Sequence, residues 1–278
     1  MYISPSWNGF RMNSDAATAG LPRAAQNYLL LFFEWLGSLG SFSWRVLRSM
    51  LLPPYEWSEL VRQMDEVGSK SVPLIALAGA AIGVVISIQT RASFVRFGAE
   101  SLLPVIIVHS IVRESGPIVA ALIFSGRVGA GIGAELGSMK VTEQIDAMEA
   151  SAVDTYKFLA ATRVAACILM LPLLTLVADG LGIFLGWVAN TLSEPISLRL
   201  FLDTGFRTLE FGDLLPATIR TAVFGLIIGL VSSYQGMHTK GGTEGVGRSA
   251  TSSVVLSSLL VILADVLLVR ITVTLFGS

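Results

Sequence analysis

Several long stretches of this chain contain no Asp, Glu, Lys or Arg, among them 71–90, 115–126, 164–178, 221–237 and 249–264. A helix needs about 20 apolar residues to cross the roughly 30 Å hydrocarbon core of a bilayer. Each run is therefore a span, or the larger part of one that an ionisable group interrupts. The pattern predicts five membrane-crossing helices, over 71–94, 102–126, 158–191, 217–237 and 249–276. The third is long enough to be tilted or broken near Pro172 or Asp179.

Ahead of these lies 27–44, NYLLLFFEWLGSLGSFSW, followed by Arg45 and Arg48. Aromatic side chains beside basic ones suit a helix lying in the membrane interface, and we prefer that reading to a sixth span. Pro53 and Pro54 end it, since neither can donate to a helix ladder. Residues 56–70 read as a short charged helix leading up to the membrane, which makes 23–70 a juxtamembrane segment and 71–278 a five-span domain. Residues 1–22 have no usable period and read as a tail. A cleaved signal peptide is not expected, because 1–20 is polar.

Composition agrees with this class: 53% of residues are hydrophobic and only 14% charged, outside the range of soluble domains. The net charge of -1 names no partner. Cys167 is the only cysteine, so no intrachain disulfide is possible, and in its apolar run it reads as inert packing. Orientation follows from the basic residues. With the N-terminus inside, the outer segments hold Arg91, Arg96, Arg199, Arg207 and Arg220, fewer than half of those on the inner side. That places the N-terminus and the connection 128–149 in the cytoplasm and the C-terminus on the far side.

Arg113 and Glu114 interrupt the second span, where an ionisable side chain costs about 2.5–3.5 kcal/mol on insertion scales. Such groups persist when paired or when facing protein or water. They form either a structural ion pair or the polar lining of a substrate path. Asp179 and Asp265 are further intramembrane acids, and a pairing of Arg113 with Asp265 would satisfy one of them. The spacings Gly79/Gly83, Gly182/Gly186 and Gly225/Gly229 allow close helix contact and need no other role. Residues 134–149, AELGSMKVTEQIDAME, alternate charges with Leu136, Met139, Ile145 and Met148 in a partly helical period. This is a solvated loop or an amphipathic helix that docks a partner.

Residues 242–249, GTEGVGRS, fall one residue short of the phosphate-loop pattern. Arg248 replaces its lysine, no strand precedes it and a span follows, so the chain itself offers no nucleotide site. His109 and His238 are far apart in sequence, no Cys/His metal cluster is visible, and no nucleophile elbow is present. An enzyme reading has little to stand on.

The string Arg113-Glu114-Ser115-Gly116-Pro117, followed by SGRVGAGIGAELGSMKVTEQIDAMEASAVD, resembles the MlaE/YrbE family of permeases. These are membrane subunits of ABC transporters that move phospholipids or related lipids between membranes together with an MCE-domain protein. The likeness runs from about Glu56 to the C-terminus. It implies an all-α, homodimeric permease with an interfacial helix before five spans in each subunit, located in a bacterial inner membrane. The implied partners are two cytoplasmic ATPase subunits that hold ATP and Mg, an MCE hexamer on the far side and a small STAS-type accessory subunit; nucleic acid is not among them. This chain would be non-catalytic and bind no cofactor. By the same resemblance, Glu135, Leu136, Met139, Lys140, Thr142, Glu143, Gln144 and Asp146 would belong to a coupling helix seated in the ATPase. Arg113, Glu114 and Asp265 would meet a lipid headgroup, with Val84, Ile88 and Gln89 of the first span along the substrate path. Ser115, Thr155 and Thr162 depart from the family pattern, the first altering the cavity lining and the others the start of the third span. Two other classes predict different behaviour: a proton-coupled transporter using Glu114 and Asp265, and a scaffold that transports nothing.

Overall fold

The computed structural model of the chain describes residues 23–53, 55–207 and 211–276. The expected tail over 1–22 and Pro54 lie outside them. The chain divides into two compact units, 1–40 and 41–278, and the spans belong to the second. Among the described residues every regular element is helical. In order they are α1 (Arg23–Leu51), α2 (Trp57–Gly68), α3 (Val72–Phe94), α4 (Leu103–Ser110), α5 (Gly116–Phe124), α6 (Ala130–Val141), α7 (Gln144–Ala150), α8 (Thr162–Thr191), α9 (Leu198–Phe206), α10 (Phe211–Met237) and α11 (Gly242–Phe276). Three π-helical turns join them: Ile111–Ser115 links α4 to α5, Ser125–Gly129 links α5 to α6, and Tyr156–Ala161 leads into α8.

Five helical stretches are long and apolar enough to cross a membrane: Val72–Phe97, Glu100–Val141, Tyr156–Thr191, Leu215–Met237 and Gly242–Thr274. These are the five expected spans, and α1 is not among them. Two boundaries differ from the sequence reading, and one suggested break is absent. The second span does not stop at Gly126 but continues as helix to Val141, so most of the supposed connection 128–149 is helical. Three of its glycines form a packing face: Gly129 lies against Ser232, Gly133 against Ser253 and Gly137 against Thr239. α8 is unbroken through Pro172 and Asp179, held between α3 on one side and α10 on the other. α11 begins at Gly242, so the GTEGVGRS stretch forms its first turns.

α8 is the hub of the bundle. A Cβ at Gly79 would fall 2.6 Å from the Ala178 Cα, and one at Gly83 would collide with the backbone of Gly182, so α3 and α8 touch along their glycines. Gly225 and Gly229 bring α10 equally close to Cys167 and Val164, which accounts for Cys167 as packing. Without a hydrophobic drive between helices inside lipid, such close backbone approach supplies the van der Waals contact that holds them. At one end of the bundle Leu103, Ile107, Val108, Ile111, Ile183 and Phe201 form an apolar cluster that seats α9. α11 is different. Its inner stripe is Ser249, Ser253 and Ser257, all buried, while Val255, Leu259, Ile262, Leu263, Val266 and Leu267 are exposed.

Candidate functional site

The π turn Ile111–Ser115 carries Arg113 and Glu114. Its cause is local: Pro117 has no N–H to offer the Arg113 carbonyl, four residues earlier. Arg220 of α10 fills that need, its Nη2 donating to the Arg113 carbonyl at 2.9 Å. The same nitrogen lies 3.2 Å from Oδ1 of Asp265 on α11, with both side chains largely buried. The cation that faces Asp265 is Arg220. Arg220 lies within the fourth span, Leu215–Met237, and not in a segment between spans. Arg113, half-buried, and Glu114, exposed, line a cavity of about 90 Å³ together with Pro216, Ala217, Arg220, Val269, Thr272 and Val273. Three helices thus bring Arg113, Glu114, Arg220 and Asp265 to one place in an otherwise apolar bundle.

Val84, Ile88 and Gln89 are not brought there. They lie on α3, which packs mainly on α8 and also on α4, α5 and the π turn Ile111–Ser115, whereas α11 packs mainly on α10 and α6, and none of the three lines the charged cavity. Val84 is half-buried and Ile88 and Gln89 are exposed. Ile88 lines a separate cavity of about 460 Å³ with Ser87, Arg91, Ala92, Val95 and Arg96. At that end Arg91 donates to Asn190 Oδ1 at 3.0 Å and pairs with Glu194 at 3.4 Å, tying α3 to the end of α8.

The segment expected to couple to a partner is two helices joined by a tight turn. Glu135, Leu136, Met139 and Lys140 belong to the last turns of α6, and Gln144 and Asp146 to α7. Between them Thr142 Oγ1 donates to the Ser138 carbonyl at 2.8 Å, and Glu143 sits in the left-handed region at φ 60°. A side chain there costs about 1–2 kcal/mol relative to ordinary helix. The turn is clamped by an ion pair between Lys140 and Asp146. Leu136 and Ile145 are buried, while Glu135, Thr142, Glu143, Gln144 and Asp146 are exposed, so the corner has an anchored side and a presented side.

A functional candidate that carries no motif is Arg163, only 1% exposed. Its Nη1 donates to the Leu159 carbonyl at 2.9 Å and its Nη2 to Glu135 Oε1 at 2.7 Å. Nearby, α2 turns a polar face inward, with Glu59 and Gln63 both buried. Glu59 accepts from Arg62 Nε at 2.9 Å and from Gln63 Nε2 at 2.8 Å. Burial opposes the Glu59 charge, but the hydrogen bonds from Arg62 and Gln63, with the positive charges of Arg62 and Arg163, outweigh it and hold the carboxyl below its ordinary range. A legible signal existed: Glu59, Gln63 and Val67 share one helical stripe, which an outward-facing polar surface does not require.

Comparison with known proteins fits this architecture. The family described as Permease MlaE matches residues 60–271. A probable ABC transporter permease protein of Rickettsia typhi is 35% identical over 244 residues, covering 88% of this chain and 94% of the relative. One from Synechocystis is 31% identical over 243 residues, covering 87% and 92%. The chloroplastic protein trigalactosyldiacylglycerol 1 of Arabidopsis thaliana is 32% identical over 237 residues, covering 85% of this chain and 68% of its own length. With five spans, a match over most of its length and relatives at these identities, this multi-pass membrane chain belongs to the MlaE family of ABC transporter permeases.

Proposed function

We propose that this chain is the subunit through which a separate cytoplasmic ATPase, holding ATP and Mg, drives phospholipid between the inner and outer membranes of a bacterium, in concert with an MCE-domain protein. The observation that carries this reading is the cluster of Arg113, Glu114, Arg220 and Asp265 set beside the exposed apolar face of α11. A substrate that satisfies both surfaces has a charged head and apolar tails. Tail burial is worth about 0.8 kcal/mol per CH₂, so a lipid leaving the bilayer needs its apolar contacts replaced. The name of one relative contains a diacylglycerol lipid, which supports a two-tailed lipid as the substrate, though the galactose head of that lipid is uncharged.

The separation of Val84, Ile88 and Gln89 from the charged cluster within one chain supports a homodimer, in which α3 of one copy completes the path beside α11 of the other. Glu135, Met139, Lys140, Thr142, Glu143, Gln144 and Asp146 form the ATPase-facing corner in this reading, on the cytoplasmic side with the N-terminus, and the C-terminus is periplasmic. Leu136, being buried, anchors that corner rather than touching the partner. A small STAS-type accessory subunit would complete the assembly.

The test is purification of the tagged chain with its chromosomal neighbours in gentle detergent. Recovery of an ATPase and an MCE protein with bound phospholipid is the expected result. In that complex Glu143→Lys should leave assembly intact and cut lipid movement while hydrolysis continues. A chain recovered alone and lipid-free, in a detergent shown to preserve such complexes, would overturn the reading.

A further inference from the structure

We infer that Arg163 is the joint that carries movement of the α6–α7 corner into α8 and α2, and so sets how much transport each hydrolysis event drives. The inference rests on the permease reading above and adds a positioning residue to it.

A fully buried guanidinium at the foot of an apolar helix calls for an explanation beyond stability, because apolar residues of similar volume commonly serve stability as well or better. Arg163 binds α6 and the π turn that opens α8, on the helix against which α2 packs. Its Nη2 holds Glu135, two turns before the corner at Glu143, and its Nη1 holds the Leu159 carbonyl inside the π turn that opens α8. π turns within long helices are frequent at functional sites. Its charge also acts on Glu59 and Glu66 of α2, and Glu59 and Gln63 are buried on the face that α2 turns toward α8. A displacement of the corner therefore pulls on Glu135, then on Arg163, and through it on α8 and α2. The Arg163 Nε is buried without a partner, so this arrangement leaves the guanidinium incompletely satisfied. A buried unpaired N–H is costly, which favours rearrangement at this joint over a single locked geometry. A second tie, from Arg127 to Ser71, links the π turn Ser125–Gly129 to the start of α3 in the same region.

The experiment uses the complete complex, with its ATPase, in proteoliposomes containing labelled phospholipid. Hydrolysis, lipid moved per ATP and melting temperature are measured for Glu135→Gln, Arg163→Lys and the double variant. Glu135 is the safer first site, because its side chain is 47% exposed. Arg163→Lys keeps the charge and loses the planar fork that reaches two acceptors. Arg163→Lys should lower lipid moved per ATP by about tenfold, within the range that residues on a coupling path produce, with hydrolysis and melting temperature close to the parent, and Glu135→Gln, at a residue that also faces the ATPase, should lower lipid moved per ATP as far. The double variant should be no worse than either single, as expected of residues acting through one contact. Unchanged lipid per ATP, additive losses, or parallel loss of hydrolysis, transport and melting temperature would each overturn the joint. Absence of coupled hydrolysis in the parent complex would instead sink the permease reading, and this inference with it.

Discussion

Arg220 and Asp265 face each other at 3.2 Å inside the bundle, and removing one partner strands the other. Arg220→Met should destabilise the protein by about 3–5 kcal/mol, as broken buried pairs do, seen as a lower melting temperature in detergent. Arg220→Met with Asp265→Leu should recover most of that loss yet remain defective in transport. A fully active double variant would remove the pair from the substrate path. Glu59 gives a pH dependence. Its folded carboxyl sits below the ordinary value of 4.5, so its stabilising contribution is present above 4.5 and is lost as pH falls through the folded value. Glu59→Gln should flatten the acid side of the stability profile below that pH, and an unaltered profile would mean the charge contributes nothing. At this scale the sequence exposed Glu114 and Asp265, because an acid inside an apolar run has no bland surface explanation. It did not expose Arg163 or Arg220. Both lie within the expected third and fourth spans but near their ends, where basic side chains ordinarily reach water, so nothing in the sequence marked them as buried.

The helices touch where glycine permits it, and that is testable position by position. At Gly83 a Cβ meets the Gly182 backbone, which cannot swing aside as a side chain can. Gly83→Ala should cost about 1–3 kcal/mol, the usual range for overpacking. Gly131→Ala, with nothing within 4 Å, should stay within about 0.5 kcal/mol of the parent. Equal effects at the two positions would contradict the crossing geometry of α3 and α8. The five spans were legible as elements because bilayer thickness fixes a minimum apolar length that few other structures need. The continuation of the second span to Val141 was not, since glycine signals a helix end in water but a helix contact inside a bundle. Without neighbours in view, SGRVGAGIGAELG reads either way. The corner at Glu143 was hidden for a related reason: a glutamate in the left-handed region carries no local marker, and the amphipathic period runs across the turn.

The bundle as a whole leaves α11 with a row of large apolar side chains facing outward and a seam of buried serines facing inward, while the charged cluster opens beside it. That division suits a permease whose substrate is amphipathic, and the family membership supplies the expectation of an energising partner. Membership was legible in the string from Arg113 to Asp154, but the arrangement of its residues was not, because Glu135 is far from Arg163 in sequence and Arg113 far from Arg220. The most direct measurement is phospholipid movement by the complex in proteoliposomes with ATP and Mg, compared with the same complex given a proton gradient and no ATP. The proposed function predicts movement that requires ATP and falls with Glu143→Lys. Movement that follows the proton gradient without nucleotide, and survives Glu143→Lys, would contradict it.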